Sequence, residues 1–236
     1  NTYLTDNILF WISYTSIDID NDDDQDIISL WAWWWMAGLT QYINNWSWVF
    51  SYSLIVSDTS YYWPIVTWDF NNDGYQDFFT SDSSTGRVFL NNSGAWFYQS
   101  SLFTWYSIAD AKVEDFNNDG YQDIITIESS RIYIRINDGN GNFLWTPYIS
   151  SSIWWSPDHI EIMDFNGDGY RDVFFWGSFN TMTSNGVFLN QSWLSLSWAS
   201  WSVIMRMTDV SIWDIDNDND NDIILWWFGI GAGFII

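Results

Sequence analysis

The stretch DFNNDGYQD occupies Asp69–Asp77 and returns letter for letter at Asp115–Asp123. Three more segments align with it without gaps: DIDNDDDQD (Asp18–Asp26), DFNGDGYRD (Asp164–Asp172) and DIDNDNDND (Asp214–Asp222). Their starts lie 46 to 51 residues apart. A period of this size marks a repeat architecture, in which each unit covers its apolar faces by stacking on its neighbours. Two strand-forming residues follow every copy at once: Ile27-Ile28, Phe78-Phe79, Ile124-Ile125, Val173-Phe174 and Ile223-Ile224. β-Branched and aromatic residues directly after a tight polar loop open a buried strand. Further along each unit a second signature recurs, as RVFLNNSGAWF (87–97), RIYIRINDGNGNF (131–143), GVFLNQS (186–192) and, more loosely, QYINNWS (41–47). Alternating apolar residues that run into Asn-Asn or Asn-Asp-Gly describe a strand ending in a turn.

Each unit therefore reads strand, polar loop, strand, hairpin, strand, turn, strand. Four short antiparallel strands in about fifty residues make one blade of a β-propeller. The expected fold is all-β, a single propeller over residues 1–236. Its repeats fall at 11–60, 61–107, 108–156, 157–206 and 207–236, the last completed by 1–10. Ile235 falls where Leu90 sits in the second unit. The N-terminal segment would then supply the outer strand that the fifth unit lacks, closing a five-bladed ring and removing exposed sheet edges. The competing reading of the same ends is a piece of a longer array. The chain opens with Asn1 rather than Met, and a mature, trimmed or partial chain is expected.

The loops have the chemistry of a calcium site. Calcium takes six to eight oxygen ligands at about 2.3–2.6 Å. Side-chain oxygens at places 1, 3 and 5 of a tight loop point inward together, the carbonyl of place 7 joins them, and a carboxylate at place 9 closes the far side. The expected ligands in the second loop are Asp69, Asn71, Asp73, the Tyr75 carbonyl and Asp77. The third loop offers Asp115, Asn117, Asp119, the Tyr121 carbonyl and Asp123; the fourth offers Asp164, Asn166, Asp168, the Tyr170 carbonyl and Asp172. Place 6 needs a left-handed backbone, which Gly74, Gly120 and Gly169 adopt without steric cost. The outer two loops put Asp23 and Asn219 there, the residue types that best tolerate that region, and carry Asp at place 3. Their ligands would be Asp18, Asp20, Asp22, Asp24 and Asp26, then Asp214, Asp216, Asp218, Asp220 and Asp222. More charge favours tighter binding and a poorer turn opposes it. Magnesium fits less well, because it keeps its waters and seldom sits in all-protein cages.

Charge points the same way. The chain has 30 acidic against 6 basic residues and a net charge of −24, which repels nucleic acid and anionic membrane surfaces and attracts cations. Twenty of the acidic residues lie in the five loops, where their mutual repulsion is offset by bound divalent ions. Up to five structural calcium ions are expected. There is no cysteine, hence neither disulfides nor thiolate metal sites, and no apolar run long enough to insert in a membrane.

The DxNxDGxxD loops, the strand after them and the VFLNN and YIRINDGNGNF stretches resemble the FG-GAP/VCBS repeat of integrin α-subunit propellers and related bacterial and fungal proteins. FGIGAG (Phe228–Gly233) is a faint match to the motif that names the family. The resemblance covers nearly the whole chain and implies a propeller with calcium held between the first two strands of a blade. Many members have seven blades, so five units is a departure.

Three sequons, at Asn45, Asn91 and Asn190, fall at the turn that ends the third strand and are candidate glycosylation sites in a secreted chain. The 21 tryptophans are expected to fill wedges between blades rather than to form sugar-stacking platforms. His159, the one histidine, stands beside Asp158. No nucleophile–base set accompanies it, so no enzyme is expected. The functional expectation is a calcium-stabilised extracellular or cell-surface module for structure or adhesion, such as a subunit of a surface filament, which binds a protein partner or associates with itself. The alternative is a lectin-like propeller that binds glycans.

Overall fold

The computed structural model describes residues 10–33, 36–45, 49–58, 64–82, 85–104, 107–144, 148–149, 153, 157–179, 182–190, 196–199, 207–213, 222–227 and 231–235. Every regular element among them is a β-strand, and no helix is long and apolar enough to cross a membrane. The chain divides into two compact units, residues 1–108 with 139–142, and residues 109–138 with 143–236.

In the first unit β1 (Phe10–Ile17), β2 (Asp26–Trp33), β3 (Met36–Asn44) and β4 (Phe50–Asp58) form one antiparallel meander, and β5 (Ile65–Trp68), β6 (Asp77–Ser81), β7 (Thr85–Asn91) and β8 (Phe97–Thr104) form another. The second unit holds β9 (Ile108–Glu114), β10 (Asp123–Glu128), β11 (Arg131–Arg135) and β12 (Tyr148–Ile149), then β13 (His159–Met163), β14 (Asp172–Phe179), β15 (Met182–Asn190) and β16 (Leu196–Ala199). A last sheet joins β17 (Met207–Trp213), β18 (Asp222–Trp227) and β19 (Gly231–Ile235), three strands among the described residues. Four of the sheets have the strand order anticipated for a unit, with the Asp-rich loop between their first and second strands. Residues 1–9, on which the anticipated ring closure depends, lie outside the described residues.

Two of the second strands are sheltered on both faces. β6 and β10 are buried along their whole length, which is why DFFTS and DIITIE lack a clean in–out alternation. One face of each meets the neighbouring sheet of its unit. In the first unit Ile17, Ile28, Leu30 and Leu39 pack with Phe78, Phe89 and Phe97. The Phe78 ring stacks on Phe89 at 4.8 Å and meets Phe97 edge-on at 4.9 Å. In the second unit Ile125, Ile127, Ile132 and Ile134 pack with Ile160, Val173, Phe175 and Phe188. Each such side chain, fully buried, stabilises the fold by about 1.5–3 kcal/mol. Gly186 pairs with Phe175 across the ladder, and a Cβ at that glycine would lie 2.6 Å from the ring. The glycine of GVFLN therefore makes room for a core phenylalanine.

Candidate metal centre

The loops are ordered by their own side chains. In the second loop Asp69 Oδ1 accepts the Asp73 N–H (3.1 Å) and Oδ2 accepts the Gly74 N–H (2.9 Å). Asn71 Oδ1 also accepts the Asp73 N–H (3.1 Å), and Asp73 Oδ1 accepts the Tyr75 N–H (2.9 Å). The third and fourth loops repeat every one of these bonds within 2.8–3.1 Å. Side chains at places 1, 3 and 5 are therefore tied to the backbone of the same tight turn. Gly74, Gly120 and Gly169 have φ of +90°, +90° and +87°, the left-handed backbone expected at place 6. Place 4 is left-handed as well, at Asn21, Asn72 and Asn118 with φ of 56–59°, a requirement the sequence reading did not recognise.

The first loop keeps this geometry without glycine. Asp23 takes φ +69° and its N–H still reaches Asp18 Oδ2 at 3.2 Å. Ligand oxygens of Asp18, Asp20 and Asp22 all lie within 4.8 Å of one another, the widest separation open to oxygens about 2.4 Å from a shared ion. Asp20 Oδ1 is buried with no hydrogen-bond partner among the described residues. An all-oxygen, carboxylate-rich set of this size fits calcium. In the fifth loop Asp214, Asp216, Asp218 and Asp220 lie outside the described residues, and Asp222 opens β18.

The carboxylate at place 9 has a second task. Asp26, Asp77, Asp123 and Asp172 are fully buried. One oxygen of each accepts the N–H of place 2 in its own loop, from Ile19, Phe70, Phe116 and Phe165 at 2.8–3.1 Å. The other accepts the N–H of the asparagine that ends the third strand, Asn44, Asn91 or Asn190, or lies two residues past it, Asn137, at 2.7–2.9 Å. One lone pair per oxygen remains for an ion. Burial raises the pKa of Asp77 and Asp123 to about 7 and that of Asp172 to about 6, against the pull of those backbone bonds; nearby loop carboxylates add to the rise. Burial also raises Asp26, and burial with Asp22, Asp18 and Asp24 raises Asp20. An ionised carboxylate in such a place is stabilised by a cation against it.

Those asparagines explain the second sequence signature and correct one expectation. Asn91 Nδ2 donates to Ile19 O (2.8 Å) in the preceding repeat and to Gln76 O (3.2 Å); Asn190 Nδ2 donates to Phe116 O (3.2 Å). The two residues are 1% and 0% exposed. A sugar on either amide nitrogen would break these bonds and has no room, so the sequons at Asn91 and Asn190 are structural. Asn45 is exposed and stands one residue beyond the equivalent place, which Asn44 fills; it alone remains a candidate acceptor. Nothing in a bare Asn-X-Ser separates the two cases, but the register against Asp26, Asp77 and Asp172 does.

Loops also touch. Asn21 Nδ2 donates to Gly74 O at 2.7 Å, and Asn118 Nδ2 to Gly169 O at 3.4 Å. In each case place 4 of one loop reaches place 6 of the next. Elsewhere four basic side chains face carboxylates. Lys112 pairs with Glu161 (2.8 Å), Arg171 with Glu114 (2.9 Å) and Arg87 with Asp82 (3.0 Å). Arg135 is buried against Glu128 and Thr126 Oγ1. His159 stacks on Trp176 at 5.1 Å, with Asp158 3.8 Å away.

No curated protein matches the chain. Among solved structures, an Agrocybe aegerita lectin, described as specifically recognising non-reducing terminal N-acetylglucosamine, superposes with a TM-score of 0.60 at 19% identity. The match covers 90% of this chain and 60% of the lectin chain, so the chain spans about three fifths of that protein's length and the likeness is one of fold. A chain of the Photorhabdus luminescens Tc holotoxin pore also matches, with a TM-score of 0.48, 14% identity and coverage of 94% and 11%. Residues 115–175, the segment that carries the third and fourth loops, match the model of the FG-GAP-like repeat.

Proposed function

We propose that the chain is a calcium-stabilised β-propeller, five-bladed and closed by its own terminal segments, that serves as an extracellular structural or adhesion module. One observation carries the calcium reading: in the first loop ligand oxygens of Asp18, Asp20 and Asp22 lie within 4.8 Å of one another, and the second to fourth loops repeat its bonds from the place 1 carboxylate to the backbone of places 5 and 6. Ions there would be structural, since the loops join strands inside each sheet and their carboxylates are taken up by the loop's own backbone N–H groups. Asp18, Asp20, Asp22 and Asp26, and their counterparts in the other loops, would hold the ion; bound calcium supplies the positive charge that those carboxylates need. Sites filled to 100 times their dissociation constant add about 2.7 kcal/mol each to folding stability. Millimolar calcium outside cells suits such sites. The partner would be a protein or another copy of the chain, and Asn45 would carry a glycan in a eukaryotic secretory route.

The test is thermal unfolding with calcium and after chelation. The expected result is a Tm at least 10 °C higher with calcium; an unchanged Tm overturns the reading. Glycan binding is the second reading, supported by the likeness in fold to a lectin described as recognising terminal N-acetylglucosamine. Retention on N-acetylglucosamine resin, eluted by the free sugar, would favour it over adhesion to protein.

A further inference from the structure

From the contacts between successive loops we infer that Asn21 and Asn118 are positioning residues for the calcium site of the following loop, so that the first loop organises the second and the third organises the fourth. This rests on the calcium reading above and adds to it an order between sites.

Asn21 is exposed and its backbone lies in the left-handed region, at φ +58°. Its amide donates to Gly74 O at 2.7 Å, 53 residues along the chain. That carbonyl belongs to the peptide joining Gly74 to Tyr75, the residue whose carbonyl is the fourth expected ligand. The next ligand segment is held from the same side. Asn91 bonds both Gln76 O and Ile19 O through Nδ2, while its N–H holds Asp77 Oδ1 at 2.7 Å. Residues 74–77 of the second loop are thus fastened to residues 19–21 of the first. The second unit repeats the device independently: Asn118 to Gly169 O, and Asn190 to Phe116 O with its N–H on Asp172 Oδ1. Two unlinked occurrences of the same pair of bonds argue for a role beyond local surface solvation. Place 4 of the fourth loop is Gly167, also left-handed at φ +70°, and lacks the donor. Glycine is therefore a backbone-neutral substitute at this place.

A ligand carbonyl next to a peptide pinned in place loses less freedom when the ion arrives, and so binds it more tightly. One such hydrogen bond corresponds to an affinity change of about 3- to 10-fold. The experiment is calcium titration of the full chain followed by peptide-resolved hydrogen exchange, reading the 69–79, 115–125 and 164–174 segments separately. In Asn21→Gly the calcium midpoint for 69–79 should rise about 3- to 10-fold, with 115–125 unmoved. In Asn118→Gly the midpoint for 164–174 should rise and 69–79 should stay. The proposal fails if the matching segment keeps its wild-type midpoint, or if all segments shift together, which marks general destabilisation. If no wild-type segment gains protection with calcium, the calcium reading itself falls and this inference with it. Wild-type protection with unmoved variant midpoints would sink the inference alone.

Discussion

Acidifying the calcium-free protein should stabilise it. Asp77 and Asp123 have pKa values raised from 3.8 to about 7, and Asp172 to about 6. In the unfolded chain these groups ionise near 3.8, so between about pH 4 and 7 the folded state holds more protons than the unfolded one. Stability then falls as pH rises through this window and levels off above about pH 7. A shift of three units corresponds to at most about 4 kcal/mol for one group. Because effective dielectric constants near 20 make such shifts upper bounds, about 1 kcal/mol is the floor for each group, or about 3 kcal/mol for the three. At about 2–4 °C per kcal/mol for a chain of this length, the Tm should rise about 6–12 °C from pH 8 to pH 5. The assay is calorimetry on protein stripped by chelating resin, at pH 5, 6, 7 and 8, beside a calcium-loaded set. Bound calcium holds the carboxylates ionised and lowers their folded-state pKa, so the loaded protein should lose stability on acidification. The double variant Asp77→Asn with Asp123→Asn should flatten the calcium-free slope. A calcium-free Tm that is flat, or that drops from pH 8 to 5, would show that these carboxylates are not buried as described.

Further outcomes follow from single contacts. Asp123→Ala orphans the buried N–H groups of Phe116 and Asn137 and should cost about 2–6 kcal/mol in urea unfolding, with loss of calcium protection in 115–125. Asn91→Ala removes the links to Ile19 O and Gln76 O and should destabilise by about 1–3 kcal/mol in the same assay. Peptide mapping of protein secreted from eukaryotic cells should find Asn91 and Asn190 unmodified; a glycan on either would refute their buried placement. Gly186→Ala drives a methyl to within 2.6 Å of the Phe175 ring and should cost about 1–3 kcal/mol, relieved in part by Phe175→Leu.

The nine-residue loops, the strands after them and the all-β class could all be read from the chain alone. These features are local: side-chain alternation, β-branched content and an Asp-Asn-Gly turn act over a few residues and recur five times. The oxygen-bearing side chains at places 1, 3 and 5 were legible for the same reason. What only the tertiary structure decided depends on partners far along the chain. The N–H that holds Asp77 lies 14 residues away on Asn91, that of Asp172 lies 18 away on Asn190, and the carbonyls these amides bind lie 72 and 74 residues back. Three sequons that look alike therefore part company, because burial is set by register and by stacking of one sheet on the next. The link from Asn21 to Gly74 is likewise invisible in either loop, since a hydrogen bond across 53 residues exists only once packing has brought the two turns together.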